Sequence, residues 1–133
     1  MEQQLQNFAA GRATQNLMIL YSDMHGLWGG ITITLSTSGA YELLQRGRGQ
    51  VVPDLVRRTV TPERTQQVIR LLLDLRLWEQ QPLQRIPIPD EARATLTLRI
   101  GEVESSIWEL YNNLDKNGRL VQIRRLLLEL ATD

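Results

Sequence analysis

Between Ala92 and Ile100 the chain alternates without a break. Ala92, Ala94, Leu96, Leu98 and Ile100 point one way, and Arg93, Thr95, Thr97 and Arg99 point the other. A period of two with one apolar side describes a strand that buries a single face. Gly101-Glu102 follows as a two-residue Gly-X turn into Val103, which predicts a hairpin and argues against an all-parallel sheet. If Ile100 pairs with Val103, Arg99 faces Glu104 across the ladder, a pair worth about 0.2–1 kcal/mol. The same register carried onward puts Trp108 on the wet face and Glu109 on the dry one. A bulge near Ser105-Ser106 is therefore expected, returning Trp108 and Leu110 to the core.

Upstream, Leu17 to Tyr21 form a short apolar run that reads as a strand, ending at Ser22-Asp23 and a glycine-rich loop, GLWGG. Ile31, Ile33 and Leu35 then alternate with Thr32, Thr34 and Ser36. Ser38-Gly39 turns the chain toward Tyr41 and Leu43, so residues 29 to 45 read as a second hairpin. Val51 to Val60 is expected to resume pairing at a sheet edge, where Pro53 is tolerated. Thr61-Pro62-Glu63 is a helix start, with a hydroxyl cap, proline at the first position and an early acid. Val68, Leu72 and Leu75, flanked by Ile69, Leu71, Leu73 and Trp78, predict a helix running to Gln80 or Gln81, before Pro82. After a turn marked by Asn112, Asn113, Asn117 and Gly118, Leu120, Ile123, Leu127 and Leu130 recur at helical spacing.

These elements predict an α+β fold: an antiparallel sheet of about five strands with two helices packed on one face. Residues 1–15 read as either a flexible segment or a short helix carrying Leu5, Phe8 and Ala9, and residues 16–133 as a single domain. The alternative architecture is a cystatin-like cone, which needs the amino-terminal segment as an additional helix against the sheet.

Composition chiefly excludes. The 133 residues suit one core. Fifteen basic residues cancel fifteen acidic ones, so no global field gathers nucleic acid. Without cysteine there is no disulfide, Fe–S cluster, thiolate zinc site or cysteine nucleophile, and a single histidine removes most histidine-based metal sites. No cofactor or metal is expected. The longest aliphatic runs, Leu71–Leu73 and Leu126–Leu128, are far short of a membrane span, and the opening residues lack a signal-peptide pattern, so the expected location is cytoplasmic.

Few residues invite chemistry. His25 is the one side chain of a type whose unperturbed pKa is near neutral, and Asp23 stands close enough in sequence to orient it, which makes it the catalytic candidate. A lone histidine in a glycine loop is ordinarily a solvated residue, and neither GxSxG nor HExxH accompanies it. GLWGG bares backbone N–H groups but lacks GK[ST] and a following helix, so a bent connection is the reading, with Trp28 either tucked under the sheet or displayed. Arg46-Gly47-Arg48-Gly49 with Arg57-Arg58 is too small a basic cluster for nucleic acid. Asp90-Glu91 reads as loop solvation, and Trp78 and Trp108 as core. The Arg93 to Arg99 wet face is a natural surface for a homo-oligomer or a protein partner.

Two functions stand on these residues. One is a non-enzymatic domain acting through protein contact, as inhibitor or adaptor. The other is a small-molecule-binding or weakly catalytic domain with a pocket at the curved sheet, for which Tyr21, Trp28, Tyr41 or Tyr111 are the lining candidates and His25 the weak catalytic one.

The order LWGGITITLSTSGAY, TPERTQQVIRLLLDLRLW, IPIPDEA, TLTLRIGE and a leucine-rich terminal helix resembles the small single-domain proteins related to emfourin, a proteinaceous inhibitor of thermolysin-like metalloproteases. The resemblance runs from Leu27 to Leu130 and concerns layout. It implies an α+β domain that binds a protein, and it carries over no inhibitory contact residue.

Overall fold

A computed structural model describes residues 1–133. Six strands, β1 Leu17–Ser22, β2 Gly30–Ser36, β3 Ala40–Arg46, β4 Asp54–Thr59, β5 Arg93–Ile100 and β6 Val103–Leu110, form one antiparallel sheet. Its order is β4-β3-β2-β1-β5-β6. Alternation decides the two faces. Leu17, Ile19 and Tyr21 of β1, Ile31, Ile33 and Leu35 of β2, and Leu96 and Leu98 of β5 are buried on one side. Against them pack Val68, Ile69 and Leu72 of α2 (Pro62–Asp74) and Leu120, Ile123 and Leu127 of α3 (Gly118–Glu129). Each such side chain contributes about 1.5–3 kcal/mol on burial. The other face is uncovered, with Met18 and Leu20 on it.

The architecture is the expected α+β class with one strand and one helix more. The extra helix is α1, Glu2–Ala9, whose Leu5 is fully buried. It rests on α2, where Gln66 Nε2 donates to the Phe8 carbonyl at 3.0 Å, and not across the sheet as a cone would need.

Two local expectations are overturned. First, α2 stops at Asp74, well short of Gln80. Arg76 adopts φ 50°, and the N–H groups of Arg76 and Leu77 donate to the carbonyls of Leu73 and Leu72. This reversed turn closes the helix and swings Leu77 back beneath Leu72, where both are fully buried. Arg119 adds positive charge at this carbonyl end, donating to the carbonyls of Leu75, Arg76 and Glu79. Second, the β5–β6 ladder runs unbroken from Ile100↔Val103 to Arg93↔Leu110, with no bulge. Arg99 does face Glu104. Glu109 tolerates the covered side because its carboxylate accepts from Asn117 Nδ2 at 3.1 Å and from the Leu110 N–H at 2.7 Å. Trp108 therefore stays on the open face, under the Arg93 guanidinium at 3.9 Å from its ring. Trp78 only partly joins the core.

β6 is an edge strand, and Gln80 caps it: its side-chain amide donates to the Trp108 carbonyl at 2.9 Å and accepts from the Trp108 N–H at 2.7 Å.

Candidate functional site

The sheet end where β1 finishes and β2 begins carries the loop 23–30, and its footing is Asp23. This carboxylate is 2% exposed. It accepts from Tyr21 Oη at 2.7 Å, from the Ile31 N–H at 2.9 Å and from Arg124 Nε at 2.6 Å. Three donors from β1, β2 and α3 thus meet one buried charge, which satisfies it and ties the helix to the loop. Burial, and then the neighbouring Asp23 charge, push the Tyr21 hydroxyl far above the ordinary phenol range.

From that footing the chain makes a tight closed loop. His25 N–H donates to the Gly29 carbonyl at 2.7 Å and Gly29 N–H returns to the His25 carbonyl at 2.9 Å. His25 Nδ1 accepts from the N–H groups of Leu27 and Trp28 at 3.0 and 3.3 Å. Arg46 reaches in from β3, its Nη2 donating to the carbonyls of His25 and Gly26 at 2.6 and 3.1 Å. Glycine is required at the closing positions. Gly29 has φ 83°, and a Cβ there would lie 2.0 Å from the Arg46 carbonyl oxygen; Gly30 has φ 138°, with the Asp23 carbonyl 2.6 Å from the place of its Cβ. With its backbone bonded inward, the loop holds Leu27 and Trp28 outward at 61% and 46% exposure. Arg48 lies over the Trp28 ring at 4.3 Å.

Beside the loop runs a groove of about 910 Å³ between Trp28, the 3-10 helix Tyr111–Lys116 and α3. Tyr111, Leu114, Val121 and Leu128 supply its apolar lining, and Arg124, Arg125, Asp23, Asp115 and Glu129 its charges. The His25 ring rests on Tyr111 at 4.9 Å between centroids, tilted by 51°. Arg124 gives its Nε to Asp23 and also lines the groove.

The structure brings His25, Trp28 and Tyr111 together here and separates the other two candidates from them. Tyr21 is fully buried and serves the groove only from behind, through Asp23. Tyr41 points into the core, its hydroxyl donating to the Leu127 carbonyl at 2.7 Å, and burial pushes that hydroxyl up to about 12. Of the four lining candidates only Trp28 and Tyr111 reach the groove, because successive side chains on β1 and β3 alternate and both Tyr21 and Tyr41 fall on the core side.

Asp23 does not orient His25; it binds Tyr21, Ile31 and Arg124. Arg46 and Arg48 of the basic cluster serve the loop. Glu91, read as loop solvation, is a buried clasp: it pairs with Arg85 and accepts from the N–H groups of Ile88 and Asn112. The Arg85 hydrogen bond is the main cause holding its carboxyl down at about 2. Sequence reasoning missed Arg124, which carries no signal beyond its place beside Arg125 on the terminal helix.

No group of three or more histidine, aspartate or glutamate side chains stands where it could hold a metal ion, and no helix is long and apolar enough to cross a membrane. No family model matches the sequence, and no curated protein matches it.

Proposed function

We propose that the protein is a non-enzymatic domain that works by protein contact, with the loop 25–29 and the adjoining groove as its contact surface. One observation carries this reading: a loop whose backbone is hydrogen-bonded within the molecule nevertheless exposes a leucine and a tryptophan. Fixing such a loop before binding removes an ordering cost of roughly 0.5–1.5 kcal/mol per immobilised side chain, and tryptophan is the residue type most often found as an interface anchor. The groove beside it offers apolar surface and the guanidinium groups of Arg124 and Arg125, which fits a partner segment with an apolar side chain next to a carboxylate.

The geometry of His25 disfavours a general-base role. Two backbone N–H groups point at Nδ1, so the neutral ring carries its proton on Nε2. Action as a general base would need the other tautomer and would break both bonds that shape the loop.

The resemblance to emfourin-related proteins makes a thermolysin-like metalloprotease the first partner to try. Titrating thermolysin with the protein is expected to suppress peptide hydrolysis at micromolar concentration, with the Trp28→Ala variant ineffective. Unchanged hydrolysis at that concentration removes the inhibitor reading. A second reading, a small-molecule site, is supported by the size of the groove, which lies within the usual range of ligand pockets. Ligand-observed NMR with an aromatic carboxylate library tests it; binding that survives both Trp28→Ala and Tyr111→Ala places the site elsewhere.

A further inference from the structure

We propose that the uncovered face of the sheet pairs with the same face of a second copy of this chain, forming a two-sheet sandwich with the helices outside. This inference is independent of the contact loop, which lies at one end of the sheet. The open face has the anatomy of an interface. Its two central strands carry no charge: β1 presents Met18, Leu20 and Ser22, and β2 presents Thr32, Thr34 and Ser36. Met18 and Leu20 are 40% and 41% exposed there, and Leu55 of the flanking β4 is 47% exposed. Charged groups are confined to the outer strands, which is the distribution of a charge-depleted centre with a polar rim.

The rim is matched to itself. On one side Glu42 of β3 and Arg57 of β4 form an ion pair at 3.0 Å, and on the other Arg99 of β5 stands opposite Glu104 of β6. Each rim holds both signs. The second rim also carries Arg93, over the Trp108 ring. A two-fold axis running along the strands between β1 and β2 lays one mixed rim over the other. Aligned sheets pack in this way at about 10 Å, with side chains of the two inner faces interdigitated.

The area is sufficient. Six strands about 4.8 Å apart and roughly 20 Å long cover on the order of 600 Å² per copy, or about 1,200 Å² for the pair. That reaches the lower bound of stable protein interfaces and predicts a dimer that dissociates on dilution.

Light scattering behind size exclusion, from micromolar to near-millimolar concentration, tests this. The mass should rise toward twice the 15.3 kDa of the chain. Leu20→Glu should hold the protein at one chain mass, and Thr34→Lys, across the ladder from Leu20, should do the same if the first variant folds poorly by circular dichroism. Trp28→Ala should leave the dimer intact. A wild-type mass that stays at one chain throughout overturns the proposal. So does a dimer that persists in both folded face variants, or one that is lost in Trp28→Ala.

Discussion

Two of the loops that hold large apolar side chains in solvent do so in opposite ways. In the loop 25–29, four of the five backbone N–H groups donate within the molecule, an arginine from β3 satisfies two carbonyls, and a buried carboxylate anchors the base. In the connection 81–91, Ile86 and Ile88 are 87% and 57% exposed, yet the N–H groups of Gln84 and Ile86 find no acceptor, and order comes from one clasp at Glu91. Exposure of apolar surface alone therefore does not mark a contact site. The difference lies in whether the backbone beneath it is already fixed, since only then does binding avoid the cost of ordering it.

The largest effect should come from removing the footing of the first loop. Asp23→Ala leaves Arg124 half-buried without its partner and strips acceptors from Tyr21 and the Ile31 N–H; a loss of about 3–5 kcal/mol is expected in urea unfolding. Gly29→Ala should follow, at about 2 kcal/mol or more, because alanine is disfavoured at φ 83° and its Cβ collides with the Arg46 carbonyl. A melt unchanged by Gly29→Ala would mean that the loop yields easily, which would erase the contrast with 81–91.

Acid should separate the loops. The Glu91 carboxyl lies at about 2 in the folded chain against an ordinary 4.5, so the unfolded chain binds its proton first. The clasp's stabilisation is present above about 4.5 and is lost as pH falls toward about 2. Thermal melts across that window should decline less steeply in Glu91→Gln, and proteolysis in acid should cut within 81–91 before 25–29. The smallest effect belongs to the displayed side chain itself: Trp28→Ala should alter stability by no more than about 0.5 kcal/mol, while abolishing binding of a partner at the loop 25–29.

Much of the fold was legible because alternation is a strong signal. The faces of β2 and β5, the start of α2 at Thr61-Pro62 and the Ile100↔Val103 register follow directly from residue order, whereas the wholly apolar run Leu17–Tyr21 marks β1 without telling its two faces apart. What escaped depended on contacts distant in sequence or on unusual conformations. The end of α2 is closed by an arginine at φ 50° where glycine is usual, and the apolar pattern continues past it into Leu77. The bulge expected in β6 was unnecessary because Asn117, eight residues on, meets Glu109. For the site, His25, Trp28 and Tyr111 could be named as chemically notable residues, but not assembled. Their juxtaposition rests on β5 lying between β1 and β6 and on the Tyr111 N–H donating to the Ala92 carbonyl, contacts between segments distant in sequence that leave no trace in local pattern.

The claim that the loop 25–29 is held ready is tested most directly by amide hydrogen exchange in the free protein. After correction for intrinsic rates, the Leu27 and Trp28 amides should exchange at least about tenfold more slowly than those of Gln84 and Ile86, equivalent to ~1.4 kcal/mol of additional opening free energy. That protection should vanish in His25→Ala. Equal rates for the two loops would contradict the account.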